Sequence, residues 1–371
     1  MSFKLPNGND LTKEQLDIIN LPTNQDWVIE GAPGTGKTVM AVYRAGQMPK
    51  KKKVLVLVYN RPLKDFIHTA ISDEHFENCT ISTYHQWLAD MYKEHFRSSG
   101  YPKEGDFDPK WSQIKSDFHR FSNYYDQVIV DEAQDFPIQL IEILKEISKN
   151  ITCFIDPNQT IEPGKTDRVL MLKSLLVECP YKLTYNFRNT KPIRDASALF
   201  CREGAPAEAY MPGPKPCLIK CRKKGRKPDF DDQTQKMCQI IRRNLDKNIG
   251  VIVNARSLRA TYESLMAELE DEIDIQMHKA CTSHKIDFEI DGVQIVSFGT
   301  MKGLEFDIVL IPGFDYIKPS GDAIVDGNVT YVAMSRPLRE LYLFYFNTKH
   351  VNGRLNTMGV VADHNNLFLW K

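Results

Sequence analysis

At 371 residues the chain is long enough for two or three domains of about 150 residues each, and its 48 Lys plus Arg balance 48 Asp plus Glu. With no net charge, a polyanion must be held by a local patch rather than by bulk attraction, and 42% hydrophobic with 26% charged residues excludes a disordered chain. No apolar run approaches the ~18 residues of a membrane span, the polar start with Pro6 and Gly8 is unlike a secretion signal, and eight scattered cysteines read as reduced thiols, so a cytoplasmic protein without a membrane partner is expected.

In chain order, the first apolar run is Trp27–Ile29. It leads into Gly31-Ala32-Pro33-Gly34-Thr35-Gly36-Lys37-Thr38, a complete P-loop pattern, followed by a helix-compatible stretch from Val39 to Gln47. In such a loop the glycines let main-chain N–H groups close around a phosphate at a helix N-terminus. Lys37 would reach the β and γ oxygens, and the Thr38 hydroxyl would ligate Mg²⁺. The cofactors expected are therefore ATP and Mg²⁺. Val54–Tyr59 reads as a strand, and Gln127–Val130 as another that ends in Asp131-Glu132-Ala133-Gln134-Asp135. Two acids at the end of an apolar strand suit metal-assisted hydrolysis: Asp131 would hold Mg²⁺, and Glu132 would orient and deprotonate the attacking water. A helix is predicted over Ile138–Ile147 from its apolar periodicity, then a strand at Ile151–Ile155.

Residues 203–230 form a loop-rich stretch containing Pro206, Pro212, Gly213, Pro214, Pro216, Gly225 and Pro228, and beyond it strands are predicted at Val251–Val253, Val293–Phe298, Ile308–Ile311 and Leu341–Phe346. Continuously apolar strands alternating with helical patterns predict an α/β fold whose parallel sheets are covered on both faces. The scheme is one unit over 1–200 and a second over 201–371, the second unit's first helix being compatible with a start before the loop.

The motifs, taken together and in order, resemble superfamily 1 helicases of the UvrD/Rep type over nearly the whole chain, which implies two RecA-like P-loop NTPase domains. Leu11-Thr12-Lys13-Glu14-Gln15 resembles that family's Q motif, in which Gln15 would read the adenine edge. Tyr59-Asn60-Arg61 sits where motif Ia begins, and Thr83-Tyr84-His85 resembles the TxH motif; the resemblance makes Asn60, Arg61, Thr83 and His85 nucleic-acid contacts. Asp131–Asp135 resembles motif II, and Asp156-Pro157-Asn158-Gln159 motif III, where Gln159 would sense the γ-phosphate. Asn186-Phe187-Arg188-Asn189-Thr190 resembles motif IV, with Phe187 stacking on adenine and Arg188 as an arginine finger. Lys302-Gly303-Leu304-Glu305-Phe306 is similar to motif V, which puts Gly303 and Glu305 in the nucleotide site, and Tyr331–Arg336 is similar to motif VI, with Arg336 as a second finger.

What the resemblance implies is an ATP hydrolase of the helicase or translocase type: ATP lies in a cleft between two domains, and turnover is coupled to movement along DNA, single-stranded above all. The sequence also departs from the family. The spacing leaves no room for a large 2B insertion and little for 1B, Val58 stands where motif Ia carries an aromatic, no Trp or Tyr follows Gln159 in Thr160–Gly164, and Gly299 occupies the usual motif V histidine position. Lost stacking platforms, each worth about 1–3 kcal/mol per base, weaken unwinding more than hydrolysis. The alternative is a nucleotide-gated regulatory subunit that controls a protein partner without separating strands.

Basic runs at Lys50–Lys53 and Lys220–Lys227 could neutralise phosphates or simply be solvated, and Tyr84, Trp87 and Trp111 could stack on bases or pack a core. Cys217, Cys221, His278, Cys281 and His284 have none of the usual zinc spacings, and the acids Asp271, Glu272, Asp274, Asp287 and Glu289 lack the lysine of a nuclease site.

Overall fold

Successive side chains of a strand point to opposite faces, so a strand that is apolar at every position needs cover on both sides. The computed structural model, which describes residues 11–58, 78–105, 108–159, 168–201, 207–278, 292–317, 323–356 and 364–371, meets that need twice. Contacts divide the chain between Thr184 and Tyr185.

The unit up to Thr184 is built on strands β1 (Trp27–Gly31), β2 (Val54–Val58), β3 (Cys79–Thr83), β4 (Tyr125–Val130), β5 (Ser148–Ile155) and β6 (Tyr181–Leu183). They form one sheet in the order β3-β2-β4-β5-β1-β6, and every pairing is parallel. Val28, Leu55, Leu57, Val128, Val130, Ile151 and Cys153 face one core, shared with helices α3 (Tyr84–Phe96), α4 (Trp111–Phe118), α5 (Ile138–Ile147) and α6 (Arg168–Leu175). Their neighbours Ile29, Val54, Val56, Val58, Ile129 and Phe154 face the other, against α1 (Lys13–Ile19) and α2 (Lys37–Gly46). Alternation within each apolar run thus fills both layers. β5 lies between the P-loop strand β1 and the acid-bearing strand β4, with Val130 beside Cys153 in register. That adjacency sets Asp131 next to the chain that leaves β5 at Asp156.

The unit from Tyr185 contains β7 (Cys217–Lys220), β8 (Ile249–Val253), β9 (Ile275–Met277), β10 (Val293–Ser297), β11 (Phe306–Ile311), β12 (Pro337–Tyr345) and β13 (Leu369–Trp370). The order is β9-β10-β8-β11-β12-β7-β13, again parallel throughout. Ile249, Val251, Ile295, Ile308 and Leu310 pack against α8 (Phe230–Arg242) and α9 (Leu258–Leu269). Helix α7 (Lys191–Ser197) packs on α10 (Ala323–Met334) and on β12. Because α7 buries Ile193 and Ala196 there, the division falls ahead of it, at 184/185 rather than at the 200 expected from composition.

The observed class is the expected one: α/β, parallel sheets covered by helices, consistent with two RecA-like domains. No helix among the described residues is long and apolar enough to cross a membrane.

Candidate functional site

The P-loop joins β1 to α2. Gly34 and Gly36 hold φ of 76° and 89°, a region that L side chains rarely adopt. Gly36 is the N-cap of α2, and a Cβ there would lie 2.8 Å from Gln15 Nε2. Gly31 has no more room: a Cβ would meet Thr35 Oγ1 at 2.5 Å. Lys37 is buried, with Nζ donating to the carbonyls of Gly31 at 2.8 Å and Ala32 at 3.3 Å. The ammonium is thus held inside the loop by weak neutral acceptors, which phosphate oxygens can replace with charge-assisted bonds. Pro33 completes the turn, with Thr35 Oγ1 donating to Ala32 O at 2.9 Å.

Thr38 follows on the first turn of α2, and its hydroxyl donates to Asp131 Oδ2 at 2.6 Å. One divalent cation can be reached by both oxygens. Mg²⁺ commonly takes one or two protein ligands with phosphate and water oxygens, so the pair fits that ion. No group of three or more His, Cys, Asp or Glu poised for a metal occurs among the described residues. Asp131 is fully buried; burial first, then the adjacent Glu132 charge, push its carboxyl up to about 6.

The sign of that shift makes a prediction. A carboxyl whose folded pKa stands above its usual value costs stability as pH rises from the usual value, near 4, through about 6, and the cost is complete at pH 7.5. Asp131→Asn keeps an acceptor for the Glu132 N–H, which now donates to Asp131 Oδ1 at 3.0 Å. It is expected to raise Tm at pH 7.5 in chelator, to gain little at pH 4, and to lose turnover. Calorimetry at the two pH values checks this; a lower Tm at pH 7.5 would remove the stability cost assigned to the charge.

Glu132 sits in left-handed backbone at φ 52°, an uncommon place for a side chain other than Gly, Asn or Asp. Gln134 Nε2 donates to Glu132 Oε2 at 2.5 Å, while Gln134 Oε1 accepts the Asp156 N–H at 3.1 Å. Asp156 Oδ2 in turn accepts from Gln159 Nε2 at 2.8 Å. A continuous polar chain therefore runs from Glu132 to Gln159 through two residues to which the sequence reading gave no role. Both stood inside motifs already in view, Gln134 in DEAQD and Asp156 at the head of motif III. Burial pushes the Asp156 carboxyl up as well.

Gln15 is spent within its own unit. Its Oε1 accepts the Thr12 N–H at 3.0 Å in a reciprocal capping box, and Nε2 donates to Thr35 O at 3.3 Å. The residue expected to read adenine ties α1 to the P-loop. Thr83 is buried at the N-cap of α3, and His85 is exposed, with Nδ1 2.7 Å from Tyr101 Oη and its ring 3.8 Å from that of Tyr84. Asn60 and Arg61 lie outside the described residues, as do Cys281 and His284. Trp87 is core: buried, its Nε1 donates to Tyr125 Oη at 3.1 Å. Of the first basic run, Lys52 pairs with Asp126 at 3.3 Å and Lys53 lies 3.3 Å from the centre of the Tyr124 ring.

In the second unit, Asn186 folds motif IV on itself, Oδ1 accepting from the N–H groups of Arg188 at 2.9 Å and Asn189 at 3.0 Å. Asn189 then reaches motif VI, with Nδ2 donating to Ser335 O at 3.0 Å and Pro337 O at 2.7 Å. Arg188 pairs with Glu305, in a turn shaped by Gly303 at φ 81°. Phe187 is exposed. Arg336 is buried, donating from Nε to Val332 O at 3.0 Å and from Nη1 to Leu304 O at 3.3 Å. Motifs IV, V and VI thus form one hydrogen-bonded cluster, in which Arg336 braces its own fold.

The family model described as Schlafen group 3, DNA/RNA helicase domain matches residues 25–276. Among solved structures, the chain is similar to the C-terminal domain of a possible DNA helicase from Lactobacillus plantarum WCFS1, at 19% identity and a TM-score of 0.35 over 50% of this chain and 98% of that one. It is also similar to the PRRSV helicase, at 12% identity and a TM-score of 0.44 over 89% of this chain; it spans about half, 54%, of that protein. The comparison with curated proteins finds no match.

Proposed function

Since the chain belongs to the Schlafen group 3 DNA/RNA helicase domain family, we propose that it is a superfamily 1-type motor that hydrolyses Mg-ATP and acts on DNA, single-stranded above all. The observation that carries the chemistry is the cluster of Lys37, Thr38, Asp131 and Glu132 in one unit, with Thr38 Oγ1 and Asp131 Oδ2 2.6 Å apart. Phosphoryl transfer asks little covalent work of a protein; positioning and charge stabilisation do most of it. The P-loop N–H groups from Gly34 to Thr38 cradle phosphate, and Lys37 exchanges its main-chain acceptors for β and γ oxygens. Thr38 and Asp131 would hold Mg²⁺, which would supply charge neutralisation to the phosphates. Glu132, held through Gln134, takes the proton of the attacking water, and Gln159 reads the γ position through Asp156.

In the second unit the proposal gives Arg188 and Arg336 the role of neutralising charge that develops on the γ-phosphoryl group. Each is now engaged inside that unit, Arg188 by Glu305 and Arg336 by the Val332 and Leu304 carbonyls. Exchanging any of those contacts for a phosphate oxygen would link turnover to a conformational change.

The test is steady-state ATPase without polymer and with single-stranded DNA, duplex DNA or RNA. Stimulation of about tenfold or more by single-stranded DNA is expected. Stimulation by RNA alone would correct the polymer, and brisk but polymer-indifferent turnover would replace the motor with a nucleotide-gated switch acting on a protein partner.

A further inference from the structure

The second basic run is built into the carboxyl ends of two neighbouring parallel strands, the place where open α/β sheets commonly bind ligands. β7 ends at Lys220 and β12 at Tyr345, paired in register, and the Cys221 N–H donates to Tyr345 O at 2.7 Å. The chain then makes a two-stranded hairpin, Lys223-Lys224 against Lys227-Pro228, turning at Gly225. A groove of about 560 Å³ opens beside it, lined by Lys220, Arg222, Lys223, Phe346 and Thr348 among others.

Charge on this surface is only partly cancelled. Lys220, Arg222, Lys223, Lys224, Arg226 and Lys227 face three acids just downstream, Asp229, Asp231 and Asp232. Arg222 pairs with Asp232, and Lys224 with Asp229 and Asp231, while Lys236 also reaches Asp232. All three acids are therefore spent. Lys220, Lys223, Arg226 and Lys227 are exposed and have no carboxylate partner among the described residues.

Next to these cations stand two exposed rings. Phe230, the first residue of α8, is 62% exposed, and Tyr316 is 42% exposed. Both pack in T-shaped geometry with the same buried ring, Phe346, at centroid distances of 5.6 Å and 5.9 Å. Phe346 is itself pinned, its N–H donating to Asp315 Oδ2 at 3.1 Å. Both outer rings thus pack on a buried base while part of each stays in water, Tyr316 also meeting the His350 ring at 6.2 Å. Free cations bind a phosphate chain, and open aromatic faces stack on bases that no partner strand covers.

We propose that the carboxyl ends of β7 and β12, with the Lys223–Pro228 hairpin and the rings of Phe230 and Tyr316, form a contact surface for single-stranded nucleic acid. The surface lies wholly within the second unit and uses none of the helicase-like motifs; it rests on the proposed function only for the class of polymer.

The experiment is fluorescence anisotropy of the full chain, without nucleotide, on a labelled oligo-dT strand, an RNA strand of equal length and a duplex, over a series of salt concentrations. The combined variant Lys223→Gln, Arg226→Gln, Lys227→Gln is expected to lower the slope of log affinity against log salt by about 2, at ~0.7 per single-strand phosphate. Phe230→Ala is expected to weaken single-strand binding tenfold or so and to leave duplex binding within about twofold. Polymer-free ATPase and Tm should stay at wild-type values, since these side chains are exposed. Three results overturn the proposal: wild-type affinity and slope in both variants, equal losses on duplex and single strand in Phe230→Ala, or no single-strand binding by the wild-type chain. A chain that turns over no ATP yet loses single-strand binding in both variants would sink the motor and leave this surface standing.

Discussion

Glu132→Gln is expected to bind Mg-ATP with affinity within a fewfold of wild type and to hydrolyse it about 10²–10⁴ times more slowly, the span that general bases contribute. The substitution is close to isosteric. It preserves the contact with Gln134, because an amide oxygen accepts from Gln134 Nε2 as the carboxylate oxygen does now. A Gln side chain also makes no new demand on the left-handed backbone at this position. What it removes is the capacity to accept a proton from water. Binding is followed with a fluorescent ATP analogue and chemistry by single-turnover quench. Wild-type single-turnover rates in the variant would take the base assignment away from Glu132. Slow chemistry combined with lost binding would instead point to a damaged loop.

Lys37→Ala is expected to abolish measurable nucleotide binding at submillimolar ATP, and turnover with it. Two effects add. The direct one is loss of the only lysine buried in the loop, whose ammonium would pair with phosphate oxygens in a partly dehydrated site. The second acts through Asp131, since the Lys37 charge is among the groups that hold the Asp131 carboxyl down against burial. Removing it pushes Asp131 further up, towards the protonated form that binds Mg²⁺ poorly. Isothermal titration with a non-hydrolysable ATP analogue, with and without Mg²⁺, checks both effects. Because Lys37 Nζ also satisfies the Gly31 and Ala32 carbonyls, Tm must be recorded alongside, and Lys37→Arg restores the charge and donors without the compact ammonium that the loop encloses. Retained binding in a folded Lys37→Ala chain would remove the P-loop from the proposed site.

The amino-acid sequence by itself determined the features whose cause is local. Helix Ile138–Ile147 begins after Pro137 and runs its full predicted length, because its apolar spacing and its boundary residue agree. The eight predominantly apolar strand segments are all strands, each within a few residues of its predicted ends, because short runs that are apolar at nearly every position are stabilised by burial on both faces. The P-loop was legible because its glycines answer a backbone requirement, positive φ and missing Cβ room, that few other residues meet.

Tertiary structure alone decided the rest. Strands β3, β6, β7, β9 and β13 carry no such signal: Cys79–Thr83 is mostly polar, and the others have only two to four residues. They are strands because a neighbouring strand already in place offers them hydrogen bonds. The link from Glu132 to Gln159 exists because β4 and β5 are adjacent, which brings Gln134 to Asp156 across 22 positions of sequence. The motifs named Gln15 and Arg336, yet only packing showed Gln15 bound to the P-loop and Arg336 buried on main-chain carbonyls. A residue type states which bonds a side chain can make; which of them it does make depends on neighbours that the fold supplies from elsewhere in the chain.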